Sequence, residues 1–504
     1  MISNAIGSER LSAIVGYKLT TGNFATSTPN LPARIAIIGE ANADKQSGLS
    51  TDPVEITSAQ QAGAIFGFGS PIYNVLRILR PVNGDGVGGI PTIVYPQEEA
   101  ESAAARVQTI TVTGTATGSG IHYVKIGGRD NLDGAVYAVN IALGDTATII
   151  AEKIRDAINA VLGCPVSATA AVAVVTITTK WKGLTAQDIT IEMDSNTNGF
   201  GVTYVVAQTT AGAGTPSIAD ALALFGTAWN TIVINTYGTV STVMQSLEAF
   251  NGVPDPINPT GRYQGVIMKP FIALTGSVDE DPSSITDSRK TQLTIAICPA
   301  PLSKGHPMEA AANMAVLFSR ISQDTPHLDV QGLKYPDMPT PVSIGKMDKY
   351  TERDAIIKKG CSTVELIAGV YRVVDFVTTY HPDGEIPAQF RYCRNLILDF
   401  NVRFGYYLLE QTNVLGHAIA GDSDIVSVSK IIKPKQWKAI IKAYAIDLSK
   451  RGLIADYPFM HNSIQCDIST SNPDRLEIFF RYKRTGFMRI ASTTAEAGFN
   501  FGVQ

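Results

Sequence analysis

The sequence of 504 residues predicts an α/β core with an inserted β-rich domain and an α+β C-terminal domain, with extended N- and C-terminal arms. Three observations predict this organisation. An apolar strand at residues 34–39 (RIAIIG) starts an alternation of strands and helices. The alternation stops near residue 100 and resumes after Pro216. Short β-prone runs separated by Gly, Asn and Asp fill the interval.

Four structural parts follow from this pattern: an N-terminal arm, a discontinuous core, an inserted domain and a C-terminal domain. They comprise residues 1–31 for the arm, 32–100 and 215–386 for the core, 101–214 for the insertion and 387–504 for the C-terminal domain. The arm is rich in Ser, Thr, Asn and Gly and cannot bury enough surface to fold alone. It needs a surface to lie on, and a neighbouring subunit is one candidate.

The core elements are predicted in order along the chain. Strand 34–39 precedes a helix at 70–79 and a strand at 92–95. After the insertion we predict helices at 217–225, 240–250 and 307–321 and strands at 231–235, 264–274 and 291–298. Alternating strands and helices imply a largely parallel sheet that is covered on both faces.

The insertion is predicted from six β-prone runs between residues 107 and 210, interrupted by one helix at 146–161. Its seams are placed at residues 98–106 and at the linker-like residues 211–216, AGAGTP.

The C-terminal domain is predicted to combine helices with a small sheet. Its predicted helices are at 391–409 and 434–451, and its predicted strands are at 463–469, 475–482 and 487–492. Pro434 is acceptable in a first helical turn, and Gly452 is a stop signal after the second helix.

Composition limits the classes of function. Charged residues make up 17% of the chain, below the usual quarter, which fits a surface given largely to partners. The net charge of −4 argues against direct nucleic-acid binding over the whole surface. Five widely spaced cysteines without a CxxC pair indicate free buried thiols in a reducing compartment. No signal peptide or membrane-spanning run is found, so we expect a cytoplasmic protein without membrane insertion.

Two Gly-containing loops are candidates for ligand-binding sites. Residues 84–89 match GxGxxG, but they follow a helix and lead into a strand, which is the wrong order for a dinucleotide site. We predict a Gly-rich turn there. Lys304, Gly305 and His306 lie between a strand and a helix and could meet an anion at the helix start. We favour a structural loop, and an α/β enzyme with an anion-binding loop near Lys304 stays open as the alternative.

Other chemistry finds little support in the sequence. The six histidines show no metal-ligand spacing, and GxSxG is absent. Cys361 or Cys393 as a nucleophile would need a base that the sequence does not locate, so we interpret both as buried thiols. Asp422 and Asp424 are interpreted as turn residues, with a paired-carboxylate role left open. We therefore predict no catalytic residue, no cofactor, no metal site and no enzymatic activity.

One charged feature stands out on the helix at 434–451. Seven basic residues lie on or beside it: Lys430, Lys433, Lys435, Lys438, Lys442, Lys450 and Arg451. Apolar residues recur at 3–4 spacing on its other face, beginning with Trp437. The face is either an ordinary solvated surface or an electrostatic contact with an acidic partner, and both interpretations are open.

Three sequence elements carry a family resemblance. They are IAIIGEA at residues 35–41, a segment of the form AxxIFGxGSP at 62–71, and VVDFVTTY, which ends in Thr378, Thr379 and Tyr380. In this order they resemble the tail sheath proteins of contractile-tailed bacteriophages, most closely the Mu-like branch. The resemblance covers about residues 31–96 and 216–504.

The resemblance implies a structural subunit of a helical sheath. Such subunits form hexameric rings that stack around a tail tube, and the sheath contracts to drive the tube through the host envelope during genome ejection. Implied partners are other copies of the chain, the tail tube protein, and the baseplate and tail terminator proteins. The implied location is the virion, after assembly in the host cytoplasm.

The resemblance also implies strand exchange between subunits. The donated residues would be Ser12, Ala13, Ile14 and Val15 at the N-terminus and Phe499, Phe501 and Val503 at the C-terminus. The recipients would be the strands at 463–469 and 475–482. The helix at 434–451 would face the tube through Lys435, Lys438, Lys442, Lys450 and Arg451.

Two further alternatives remain at this point. A static lattice protein, such as a capsid or tube component, would share the self-assembly but show no shortened form. The sheath of a tailocin or related injection system would share the whole mechanism, and the sequence separates it poorly from a phage sheath.

Overall fold

The computed structural model describes residues 28–385 and 389–497. The first part of the core contains β1 (Ile35–Glu40), β2 (Val54–Glu55), α1 (Ala59–Phe66), α2 (Pro71–Leu79) and β3 (Thr92–Gln97). β1 is buried along its whole length. α2 begins at Pro71, and the Ser70 hydroxyl caps it by accepting from the Tyr73 N–H at 3.1 Å. The predicted strand at 34–39 and helix at 70–79 are confirmed.

The β-rich segment (residues 107–210) follows. It contains β4 (Val107–Thr113), β5 (Gly120–Ile126), β6 (Asn131–Leu132), β7 (Ala135–Val136), β8 (Ala138–Ile141), α3 (Ala147–Asn159), β9 (Val166–Ala171), β10 (Val174–Thr179), β11 (Ile191–Asp194) and β12 (Thr203–Thr210). Two antiparallel sheets form, in the orders β12-β4-β10-β9 and β11-β5-β8, and α3 packs on both. The predicted seams lie side by side, because Ala104 and Ala213 exchange backbone hydrogen bonds of 2.9 and 3.2 Å.

The second part of the core resumes the alternation. It contains α4 (Ala219–Ala223), β13 (Ile232–Asn235), α5 (Ser241–Asn251), β14 (Ile272–Ser277), α6 (Ser283–Asp287), β15 (Ile295–Pro299), α7 (Pro307–Asp324), α8 (Tyr350–Lys358), β16 (Thr363–Ile367) and β17 (Val370–Asp375). The main sheet has the order β15-β14-β13-β1-β3-β2, with every neighbouring pair parallel except β3 and β2. α2 and α7 pack together on this sheet, as do α4 and α5. The predicted parallel sheet is confirmed.

The C-terminal segment (residues 389–497) is α+β. It contains α9 (Cys393–Asn413), β18 (Ala418–Ile419), β19 (Ile431–Ile432), α10 (Pro434–Lys450), β20 (Ile454–Ala455), α11 (Tyr457–Ser463), β21 (Gln465–Ile468), β22 (Leu476–Phe479) and β23 (Lys483–Arg484). Gly452 follows α10 with a φ of +68°, the left-handed conformation that ends helices and favours glycine. The two predicted helices are confirmed.

Three predicted elements are wrong in extent or type. Residues 264–271, assigned to a strand, form a turn because the Ile267 and Met268 N–H groups both donate to the Gln264 carbonyl; the strand starts at Ile272. Residues 487–492 have no ladder partner among the described residues, although a strand was predicted there. The helix at 217–225 is shortened to α4, and Gly226 follows it in a left-handed conformation.

Candidate assembly surface

The GxGxxG-like loop is a turn between α2 and β3. The Arg80 guanidinium donates to the carbonyls of Gly88 and Ile90 and fixes the return of the chain into β3. The predicted Gly-rich turn is confirmed.

The Lys304 loop is covered by the β-rich segment. The His306 ring caps α7, because its Nδ1 accepts from the Met308 N–H at 3.3 Å, and its Nε2 donates to the Thr185 carbonyl at 2.8 Å. Lys304 Nζ lies 3.1 Å from the Glu192 carboxylate. The Lys304 carbonyl accepts from the Thr190 hydroxyl at 2.9 Å. The helix start therefore meets neighbouring protein groups where an anion would have to bind.

The remaining candidates for chemistry are structural. All five cysteines are free and buried, and burial raises the pKa of the Cys361 and Cys393 thiols, which disfavours the nucleophilic thiolate. Asp424 accepts from the Gly421 N–H at 2.6 Å, a local turn contact, and Asp422 accepts from the Lys435 N–H in the first turn of α10 at 2.9 Å. Within residues 28–385 and 389–497 no three metal-ligating side chains come together. No helix in these two ranges is both long and apolar enough to cross a membrane.

The TTY motif joins the main sheet to the C-terminal segment. Thr378 and Thr379 are fully buried. The Thr379 N–H donates to the Ile295 carbonyl of edge strand β15 at 3.0 Å, and the Thr378 N–H donates to the Arg391 carbonyl at 2.7 Å. This motif is therefore a backbone bridge that leads into α9.

α10 separates an apolar face from a basic face. Trp437, Ile441 and Leu448 are fully buried. A helix turns by 100° per residue. On this basis the four residues on the side away from Trp437 lie within an arc of one third of the helix circumference: Lys435, Lys438, Lys442 and Lys450. None of these four lysines forms an ion pair with another described residue. The structure thus groups four of the five predicted tube-facing residues on one surface.

Arg451 lies apart from that basic face and holds the start of the described chain. Its guanidinium donates to Thr28 Oγ1 at 2.7 Å and to Asn30 Oδ1 at 2.5 Å. Thr28 also donates to the Asp447 carboxylate at 2.8 Å. Thr28 and Asn30, the described end of the predicted N-terminal arm, therefore lie at the C-terminal end of α10. Ser12, Ala13, Ile14 and Val15 lie outside the described residues.

β21 and β22 form an isolated hairpin beside α10. They pair antiparallel from Gln465 opposite Phe479 to Ile468 opposite Leu476. Cys466 and Ile464 are buried in the cluster beneath, whereas Phe479 is 48% exposed. Among the described residues this sheet has two strands, so the outer edge of each strand carries backbone groups without a ladder partner. These are the two predicted recipient strands.

Arg489 anchors the chain close to its C-terminus. Its guanidinium forms an ion pair with the buried Asp329 carboxylate and lies 3.7 Å from the centre of the Tyr392 ring. Met488 and Ile490, on either side, are exposed. Phe499, Phe501 and Val503 lie outside the described residues. Neither arginine anchor could be predicted from the sequence, because Thr28, Asn30, Asp329 and Tyr392 all lie more than 90 residues from the arginine that contacts them.

Comparison with known proteins supports one family. No protein-family model matches the chain. The Mu-like prophage FluMu tail sheath protein of Haemophilus influenzae is 23% identical over 441 residues, which cover 86% of each chain. The resemblance to Mu-like tail sheath proteins predicted from the sequence is confirmed by this relative. Its name is that of a structural protein, in agreement with the prediction that the chain is not an enzyme.

Two solved structures are similar over most of the chain. The crystal structure of a sheath tail protein from Desulfitobacterium hafniense has 10% identity and a TM-score of 0.45, covering 93% of this chain and all of that one. The helical sheath of an anti-feeding prophage, determined in the contracted state, has 11% identity and a TM-score of 0.44, covering 97% of this chain and all of that one.

Proposed function

We propose that this chain is the subunit of a contractile phage tail sheath, which polymerises as stacked hexameric rings around the tail tube and contracts to drive the tube through the host envelope. The observation that carries the proposal is the β21–β22 hairpin. Within residues 28–385 and 389–497, both outer edges of this hairpin are open, and it lies next to α10, whose C-terminal end holds Thr28. An open edge attracts an added strand, and a strand donated by another copy would fill it.

Strand exchange explains how such a lattice would hold together while it moves. The N-terminal strand around residues 12–18 and the C-terminal strand around 499–503 would add to hairpins of neighbouring copies. Arg451 holds Thr28, and Arg489 is held by Asp329. The reach of the N-terminal arm would therefore be set by the residues before Thr28, and that of the C-terminal arm by the residues after Arg489. A head-to-tail exchange that does not close on itself builds a helix of subunits.

Contraction would need no hydrolysis. The extended lattice would be kinetically trapped, and rotation of the subunits would release it. The basic face of α10 is the candidate contact with an acidic tail tube, broken on contraction. Replacing Lys435, Lys438, Lys442 and Lys450 with Glu should leave self-assembly intact and abolish assembly on purified tube protein. Unchanged assembly on the tube would remove α10 from the tube contact.

The direct test of the function is self-assembly of the purified chain. Negative-stain electron microscopy should show long tubes with helical striations, and deletion of residues 1–17 should leave folded particles that form no tubes. Circular dichroism and the unfolding temperature serve as the control that the shortened chain is folded. Discrete particles at all concentrations of the intact chain would contradict the proposal.

In the described part of the chain no observation favours the enzyme alternative, since the Lys304 loop and the start of α7 are bonded to Thr185, Thr190 and Glu192. A tailocin or injection-system sheath would use the same residues and the same lattice, and only the genomic and virion context would distinguish it from a phage sheath.

A further inference from the structure

A groove with a volume of about 660 Å³ opens at the edge of the main sheet where the parallel strands begin. Arg34 immediately precedes β1, and Trp229 and Lys269 precede β13 and β14 by a few residues. Tyr407 of α9 lines the opposite wall. Val266, in the turn that was predicted as a strand, is 95% exposed at the rim. We call this feature the amino-end groove.

The amino-end groove is apolar and positively charged. Among the residues that the structure describes, four basic residues line it and no Asp or Glu does. Three of the four are bonded to neutral oxygens: Arg34 to Asn230 at 2.9 Å, Arg262 to the Gly226 and Ala228 carbonyls at 2.8 and 2.7 Å, and Lys269 to the Thr227 carbonyl at 2.5 Å. The fourth, Arg403, is paired with Glu410 at 3.1 Å. The groove therefore lacks negative charge of its own for three of its cations.

A protruding acidic surface occupies the opposite end of the same sheet. Residues 279–281 (Asp-Glu-Asp) follow the last residue of β14, and the segment 342–352 packs beside them through the Lys346 N–H, which donates to Glu280 at 3.0 Å. Together these residues carry a net charge of −3. Val342 is fully exposed and Tyr350 is 71% exposed. We call this feature the carboxyl-end ridge.

We infer that the carboxyl-end ridge of one copy docks in the amino-end groove of the next copy along the polymer. The inference rests on the proposed self-assembly and names a contact for it. The two features flank β14, whose six residues span about 20 Å, so a copy cannot fill its own groove. Their charges are opposite, and each presents an exposed apolar residue to be buried.

The geometry of this contact is heterologous. The groove and the ridge are different surfaces at opposite ends of parallel strands, so each copy would use its ridge on one neighbour and its groove on the other. Such a contact leaves one free ridge and one free groove at the two ends of any open chain of subunits. It therefore propagates into a filament or helix, whereas a contact between identical surfaces would stop at a dimer.

Cysteine cross-linking in the full chain tests the inference. Val266→Cys and Val342→Cys place thiols at two exposed positions, while the five native cysteines are buried. After tubes have been verified by electron microscopy, a short bis-maleimide should give a ladder of covalent oligomers with the double variant. A mixture of the two single variants should stop at dimers, and each single variant alone should stay monomeric, as should the unmodified chain.

The outcomes separate this contact from self-assembly itself. Tubes that form normally but give no ladder would overturn the inference and leave the proposed function standing. Dimers from one single variant alone would also overturn it, because they require a symmetric contact. Absence of tubes from the unmodified chain would count against both.

A matched pair of substitutions at one exposed position adds a second readout. Val266→Asp and Val266→Arg remove the same apolar surface, but only the first places a negative charge against the acidic ridge. We expect Val266→Asp to raise the concentration needed for tube formation at least tenfold more than Val266→Arg does. Equal effects of the two variants would contradict the electrostatic part of the contact.

Discussion

The β-rich segment and the C-terminal segment are joined to the core in different ways. The β-rich segment shares one continuous hydrophobic cluster with the main sheet, which runs from Ile35 through Ile110 and Trp181. The C-terminal segment has a second cluster of its own around Trp437 and Leu448. α9 belongs to both, since Phe400 packs into the first cluster and Leu398 into the second. The core and the β-rich segment thus form one packed body, and the C-terminal segment has its own cluster, which α9 joins to that body.

Ion pairs also differ between the two segments, because a buried cluster of charges joins the β-rich segment to the core. Arg129 of the β-rich segment and Arg77 of α2 each bind both Glu309 of α7 and Asp337, at 2.5 to 3.0 Å. Although burial opposes ionisation of Asp337, the two arginines hold the pKa of that carboxyl below its usual value. The C-terminal segment is fixed instead by single anchors at Arg394, Arg451 and Arg489. In the proposed sheath, such a subunit would rotate as one body while its β21–β22 hairpin stays bound to a neighbouring copy.

Removal of Arg129 should have the largest effect on the packed body. Arg129→Ala leaves the buried Glu309 with one arginine partner and removes the ion pair between the β-rich segment and α7, so we expect a loss of about 3 kcal/mol in the free energy of unfolding. Denaturant unfolding followed by fluorescence measures it. The control is Lys125→Ala, which breaks a half-exposed pair with Asp194 in the same segment and should cost at most about 1 kcal/mol. Equal effects of the two variants would contradict the special role of the buried cluster.

Glu40 should make the same body sensitive to alkaline pH. It ends β1 against Gly183 of the β-rich segment, and burial, assisted by Glu99, raises the pKa of Glu40 from 4.5 to about 8. The pKa of Glu40 is higher in the folded protein than in the unfolded chain, so protonation of this carboxyl stabilises the fold. This stabilisation is full below about pH 4.5 and is lost as the pH rises through about 8. Glu40→Gln should be more stable than the unmodified protein at pH 8.5 by roughly 2–3 kcal/mol.

The measurement for Glu40 is the unfolding temperature as a function of pH. The gain from Glu40→Gln should shrink as the pH is lowered and vanish near pH 4.5. The exposed Glu101 provides the matched control, and Glu101→Gln should change nothing across the range. A gain that does not depend on pH would contradict ionisation of Glu40 as its cause.

Removal of the Arg489 anchor should lower global stability and also have a clear local effect. Arg489→Ala leaves the buried Asp329 carboxylate without an ion-pair partner among the described residues; the Val330 N–H still donates to it at 2.7 Å, and we expect a loss of about 3 kcal/mol in the free energy of unfolding. Limited proteolysis should cut between residues 485 and 497 faster than in the unmodified chain. Arg489→Lys keeps the charge but loses the stacking on Tyr392 and should be intermediate. An unchanged cleavage rate would show that the anchor does not hold this segment.

Periodic and strongly apolar elements could be predicted from the sequence. Four elements lie within a few residues of their predicted bounds: β1, α2, α7 and α10. Their burial pattern or capping depends on residues that are close together in the sequence. The apolar residues within 264–271 predict a strand, because the sequence does not reveal the hydrogen bonds to Gln264 that form the turn.

Contacts between distant residues could not be predicted. Arg77 meets Glu309 and Asp337 across more than 230 residues, and Lys304 meets Glu192 across more than 110. The spacing of these residues along the chain does not indicate that they form ion pairs. The basic face of α10 and the two hairpin strands were found because each is a local pattern, whereas the anchors at Arg451 and Arg489 depend on the tertiary fold.

We propose that the β21–β22 hairpin receives strands from other copies while the packed body keeps its internal structure. Hydrogen exchange of assembled tubes and of the tube-deficient deletion of residues 1–17 tests it most directly. We expect amides of Gln465–Ile468 and Leu476–Phe479 to become protected on assembly, with those of β4 and β10 unchanged. Protection that appears elsewhere, with the hairpin amides exchanging equally in both samples, would contradict the account.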